Sequence, residues 1–266
     1  MSREYWLQQS KEKPLFEDLL WSRPENKLHA GKLLIIGGNA HGFAAPAEAY
    51  QESLSAGVGT SRVLLPDALQ KMVSKIFPAA EYGSSTPSGS FGVKALAEFI
   101  DLSMWSDGVL LSDNFGKNSE TAILFEKFID KYKGPLALVG DSLDYFLAKP
   151  EALLDREETL LITSLSQLQK MSASSRFTSA FTSDMGVLKL VDTLHEFTTK
   201  HQATIVLQLD GAIAVGSRGR VVTTQKAQTS DLKIASHSVT WLIQNNKKSL
   251  EAIASALYAM NQKEII

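Results

Sequence analysis

With 266 residues, 44% of them hydrophobic, the chain is long enough to bury a substantial core as one large α/β domain. A formal net charge of −2 supplies no basic field for nucleic acid or an anionic membrane, so a charged ligand must be gripped locally. The absence of cysteine excludes disulfides, thiolate nucleophiles and Cys-ligated zinc, no window approaches the roughly 18–20 apolar residues of a membrane span, and MSREYWLQQSKEKP lacks a signal-peptide core; these point to a cytoplasmic protein without nucleic-acid or membrane partners.

Residues 1–31 form an N-terminal arm with Tyr5, Trp6, Phe16 and Trp21 set among charges and prolines, and with neither strand nor helix period. Such a segment cannot fold alone; it must pack on its own domain or clasp another protomer, and together with exposed-looking helices it points to a homo-oligomer. Residues 32–266 make the domain. Short apolar runs read as strands at Lys32–Ile36, Arg62–Leu65, Gly108–Leu111, Leu136–Val139, Leu160–Thr163, Thr204–Leu209, Ala212–Val215 and Arg220–Thr223, with SRGR as a hairpin turn between the last two. Between them, helical periodicity covers Ala44–Ala56, Asp67–Ile76, Val93–Trp105, Ser119–Tyr132, Ser164–Met171, Asp184–His201, Asp231–Gln244 and Ser249–Met260. This alternation predicts a mostly parallel sheet covered on both faces. The stretch GSSTPSGSFG, Gly83 to Gly92, reads as a flexible linker.

Several chemistries are excluded by spacing. GGNAHG after the first strand departs from G-x-G-x-x-G by placing Asn39 at the middle glycine, and Asp67 follows 25 to 30 residues on rather than the roughly 20 of a dinucleotide fingerprint. No G-x-x-x-x-G-K-[ST] occurs, so a P-loop is absent. His195 and His201 in HEFTTKH lie six apart, about 240° around a helix, and cannot share one metal. Metal ligands are therefore assigned to none of the residues. Asp113 and Asp141 follow strands at the carboxyl edge, where open α/β sheets bind ligands; a turn former and a helix cap are the plain alternatives. Asp231, in Thr229-Ser230-Asp231, has a capping role available as well as a chemical one.

Six stretches carry a resemblance when taken in order. IIGGNAHGFAAPAEAYQESLSAGVG provides a strand, a glycine turn and a small-residue helix; GVLLSDNFGKNSET keeps Asn114, Phe115 and Gly116 of a glycine-rich turn; LALVGDSLDYF keeps Asp141 and Leu143; LLITSLSQL keeps Thr163; LQLDGAIAVGSRGRVV is a hairpin with Asp210 where a lysine is expected; QTSDLKIASHSV keeps Thr229 and Asp231 of a Gly-Thr-Gly-Asp motif. Over roughly residues 30–262 this series resembles the ribokinase-like fold, and within it the nucleotide-dependent NAD(P)H-hydrate dehydratases of the YjeF C-terminal type. The resemblance implies a three-layer α/β/α sandwich and phosphorylation of a ring hydroxyl followed by elimination, with Asp231 as base and Mg²⁺ accompanying ADP or ATP. It further implies nucleotide contacts from Lys226, Gln228, Thr229, Ser230 and Gly211, and contacts to a dinucleotide substrate from Gly38, Asn39, His41, Gly42, Asn114, Gly116 and Asp141.

Against catalysis stand Asp210 in place of a lysine, and Gln228 and Ser230 in place of two glycines. A lost oxyanion donor costs roughly 2.7–4 kcal/mol of transition-state stabilisation. The alternative expectation is therefore a non-catalytic ribokinase-like protein that binds a nucleotide or partner, or serves as a structural homo-oligomer.

Overall fold

The computed structural model describes residues 3–225 and 229–263. Its ten strands are β1 (Trp6–Gln9), β2 (Lys32–Ile36), β3 (Thr60–Pro66), β4 (Ala80–Gly83), β5 (Gly108–Leu111), β6 (Leu136–Val139), β7 (Thr159–Thr163), β8 (Thr204–Gln208), β9 (Ala212–Ser217) and β10 (Arg220–Gln225). They form one sheet in the order β1-β10-β9-β8-β7-β6-β5-β2-β3-β4. Only the β8–β9 and β9–β10 pairs are antiparallel. The helices are α1 (Glu17–Trp21), α2 (Ala44–Ser55), α3 (Gln70–Val73), α4 (Leu96–Trp105), α5 (Ser119–Lys131), α6 (Glu151–Leu154), α7 (Leu165–Ser174), α8 (Val187–Lys200), α9 (Asp231–Gln244) and α10 (Ser249–Lys263).

Strands buried on both faces need apolar side chains pointing both ways, and LLII of β2, VLL of β5 and LALV of β6 supply them. The pleat then sends alternate residues to opposite layers. Leu34 and Ile36 pack with Phe99, Phe128, Leu168 and Leu194 from α4, α5, α7 and α8. Leu33 and Ile35 pack with Ala49, Val73, Val239 and Leu257 from α2, α3, α9 and α10. The result is the three-layer α/β/α sandwich that the resemblance implies.

Register decides where the chemistry collects. Ile36 pairs with both Leu64 and Leu111, Leu111 with Leu138, and Val139 with Ile162, so β2, β3, β5, β6 and β7 end together at one edge. The turns after Ile36, Leu111 and Val139 are therefore neighbours.

The arm takes one of its two expected courses, and several other elements differ from expectation. The arm packs on its own chain: β1 runs parallel to β10, and Asp192 of α8 accepts hydrogen bonds from Arg3 and Tyr5, which hold its carboxyl down at about 2. Trp21 and Leu28 stay exposed, at 87% and 86%. The helix expected over Asp67–Ile76 is a 3₁₀ turn, Asp67–Leu69, followed by the short α3. The helix expected from Asp184 begins at Val187, after Gly186. Gly83–Gly92 is no loose linker: Thr86, Gly89, Ser90 and Phe91 are buried, Gly89 O accepts from Ala40 N at 2.9 Å, and Ser90 Oγ donates to Phe115 O at 3.2 Å. Hydrogen bonds within the loop and to both neighbouring turns offset the entropy that its glycines and serines lose on ordering. No helix among the described residues is long and apolar enough to cross a membrane.

Candidate active site

The glycine turn closes first. Gly37 N donates to Leu64 O and Gly38 N to Asp113 O, which ties the end of β2 to β3 and to the turn beyond β5. Gly38 has φ +85°, a conformation that disfavours any side chain. Asn39 and Gly42 exchange main-chain hydrogen bonds, both 3.0 Å, and Asn39 Oδ1 accepts from His41 N at 2.7 Å, an Asx turn. The Asn39 amide donates to Asn114 O at 2.6 Å, so Asn39 buttresses the next turn. His41 is exposed.

The turn after β5 is held by two carboxylates. Asn114 sits at φ +68° and its Oδ1 accepts from Ala45 N in the first turn of α2, at 3.2 Å. Asp113 Oδ1 accepts from the amides of Asn114 and Asp141, at 2.8 and 3.0 Å. Asp141 in turn accepts from the amides of Phe115 and Gly116, at 3.2 and 3.0 Å, while Tyr145 OH donates to Gly116 O at 2.6 Å. Asp141 therefore spends its oxygens on backbone and shapes the turn that carries Asn114.

Burial first, and then the neighbouring Asp113 carboxyl, push Asp141 up to about 7, against the pull of its two amide donors. A carboxyl whose folded value exceeds its unfolded one binds more protons when folded, so its contribution to stability is full below about pH 4 and is lost as pH rises through 7. The loss amounts to about 2 kcal/mol after discounting for partial exposure. Between pH 5 and pH 8, Asp141→Asn should lose less stability than the wild type in urea denaturation; parallel losses would refute this assignment.

The third component is the start of α9. Ser230 is the N-cap, its Oγ accepting from Lys233 N at 3.1 Å. The cap thus falls to Ser230, and Asp231 stands in the first turn with its carboxylate oriented by a hydrogen bond from Gln208 Nε2 at the end of β8. Ser230 Oγ also lies 3.2 Å from Glu48 Oε1 of α2.

These parts enclose a cleft of about 380 Å³ whose wall includes Ala45, Glu48, Asp113, Asn114, Ser230 and Asp231. Of the residues singled out by sequence, Asp113, Asn114, Ser230 and Asp231 line it directly. Asn39 and Asp141 act on it through the Asn114 turn, and Gly38 through Asp113. Thr229 is half-buried and its carbonyl is 3.5 Å from Gln208 Nε2. Gly42, Gly116, His41 and Gly211 are not part of the wall, and Gly211 is exposed in the β8–β9 turn beside exposed Asp210. Lys226 and Gln228 lie outside the described residues. Glu48 and Gln208 were missed; the only signal for either is a polar residue interrupting a small-residue helix, AAPAEAY, or ending an apolar strand, TIVLQ.

A larger cavity, about 670 Å³, lies beside α5 and α6 and contains none of the sequence's candidates. It is in the smaller cleft that a helix N-terminus, a left-handed Asn and three carboxylates converge. Among the described residues no group of three or more acidic or histidine side chains is arranged to hold a metal ion. The beginning of α9 does suit a phosphate: the Asp231 and Leu232 amides precede any intrahelical acceptor.

No protein-family model matches the sequence. The bifunctional NAD(P)H-hydrate repair enzyme of Methanothermobacter thermautotrophicus is 28% identical over 116 residues, which are 42% of this chain and only 22% of that enzyme's length. Solved structures match far more of the chain. A ribokinase-like superfamily protein of Enterococcus faecalis superposes with a TM-score of 0.72 at 15% identity, covering 100% of this chain and 90% of that one. The ADP/ATP-dependent NAD(P)H-hydrate dehydratase of Bacillus subtilis, co-crystallised with ATP and Mg²⁺ and soaked with CoA, gives 0.64 at 13% identity, covering 94% and 87%. Phosphomethylpyrimidine kinase of Clostridium difficile gives 0.54 at 8% identity, covering 87% and 99%.

Proposed function

The chain has a ribokinase-like fold, and from that premise we propose that it is a nucleotide-dependent enzyme of the NAD(P)H-hydrate dehydratase type. The observation that carries this reading is the position of Asp231: a carboxylate freed from capping by Ser230, oriented by Gln208, and set in the cleft wall at the N-terminus of α9. The likeness to the NAD(P)H-hydrate dehydratase of Bacillus subtilis and to the NAD(P)H-hydrate repair enzyme of Methanothermobacter thermautotrophicus supports the substrate class.

In this reading Asp231 accepts the proton of the hydroxyl on the hydrated nicotinamide ring, and its amide and that of Leu232 hold oxygens of the phosphoryl group that the hydroxyl receives. Bound ATP or ADP with Mg²⁺ supplies that phosphoryl group. Asn114, fixed by Ala45 and Asn39, orients the acceptor. Release of phosphate with the ring oxygen, and loss of a proton from the adjacent carbon, restores the reduced nicotinamide.

The test is to mix the protein with hydrated NADH, Mg²⁺ and ATP or ADP, and to follow the absorbance band of the reduced nicotinamide. Recovery of the band is the expected result. A second reading, a binding protein without turnover, is favoured by one feature: Glu48, Asp113 and Asp231 line the cleft, and no Lys, Arg or His among the described residues does. Heat of nucleotide binding without recovery of the band would select it.

A further inference from the structure

The start of α9 is the corner of the cleft whose field suits an anion. Two of its first amides are already taken, Lys233 N by Ser230 Oγ and Ile234 N by Ser230 O, both at 3.1 Å. Those of Asp231 and Leu232 come before the first intrahelical acceptor. Beside it, Gln208, which donates to Asp231, and Thr229, which precedes Ser230, keep Oε1 and Oγ1 buried without a hydrogen-bond partner, so polar capacity next to this corner is unmet.

Onto this corner α2 projects a carboxylate. Glu48 Oε1 lies 3.2 Å from Ser230 Oγ, and Glu48 shares the cleft wall with Asp231. A carboxylate at a helix N-terminus is stabilised by the same amides and dipole that would stabilise a phosphate. The two compete for one field, and each repels the other, with no cationic side chain lining the cleft among the described residues.

We propose that Glu48 is a charge gate on the nucleotide end of this cleft: it holds the anion-receptive corner in the free protein and sets how strongly phosphates enter. The inference rests on the nucleotide reading above and deepens it by naming the admitted class. Metal-free nucleotides are discriminated against, and nucleotides whose charge is reduced by a bound divalent cation are admitted.

The test is calorimetric titration of the full chain with ATP in EDTA at low ionic strength, comparing the wild type with Glu48→Gln and Glu48→Ala after thermal melts show all three folded. Glutamine keeps the volume and can still accept from Ser230, so it removes charge alone. Both variants should bind metal-free ATP about tenfold more tightly than the wild type, and the gap should close in 0.5 M salt. Equal affinities, weaker binding by Glu48→Gln, or tightening by Glu48→Ala alone, which would mark a steric plug, each overturn the gate while leaving the nucleotide reading in place. Absence of ATP binding in all three proteins, with or without Mg²⁺, overturns both.

Discussion

Asp231→Asn should reduce the recovery of reduced nicotinamide about 10³-fold while leaving the melting temperature nearly unchanged. General-base catalysis contributes roughly 10²–10⁴-fold, and asparagine cannot accept the proton. The fold should tolerate the change because Ser230, not Asp231, caps α9, and because an asparagine Oδ1 can still accept from Gln208 Nε2. The change removes a first-turn charge worth only about 0.3–1 kcal/mol to the helix. Rate and melting temperature together make the prediction sharp: loss of both would assign Asp231 a structural part, and a variant that keeps more than a tenth of wild-type turnover would remove it as the base.

Gly37→Ala should destabilise the protein by about 3 kcal/mol, since overpacking a dense core costs roughly 1–3 kcal/mol and more where backbone must move. A Cβ at Gly37 would stand 2.1 Å from Ser112 Oγ and 2.9 Å from Asp113 O. The serine hydroxyl is itself bonded to Ile36 O at 2.9 Å, and Asp113 O accepts from Gly38 N at 3.1 Å, so relief on either side breaks a bond between the β2 and β5 ends. Gly42→Ala is the control, because a Cβ there meets nothing within 4 Å. Urea denaturation with an unchanged slope should separate the two by more than 2 kcal/mol; equal midpoints would mean that the glycine turn is not the close approach described.

Much of the scaffold was legible in the order of residues because its strands are unusually plain. LLII, VLL, LALV and IVL are unbroken apolar runs, which a strand covered on both faces requires, and the intervening helices show their period in residues such as Leu124, Phe128 and Ile129. The edge strands were not legible: WLQQ and AEYG are four residues each and take strand form because a neighbour's main chain offers hydrogen bonds. Gly83–Gly92 misled for the same reason, since its order comes from bonds to Ala40 and Phe115 rather than from its own composition.

At the candidate site the division runs between residue type and residue partner. Sequence alone placed Asn114, Asp141 and Asp231 at the ends of strands or the start of a helix, and therefore near one edge. Tertiary structure alone decided that Asp141 spends its carboxylate on the amides of Phe115 and Gly116, that Ser230 relieves Asp231 of capping, and that Glu48 reaches the same corner from α2. Local periodicity encodes which way a side chain faces, but what it meets there depends on strand register and helix packing, which are set by contacts between residues as far apart as Glu48 and Ser230.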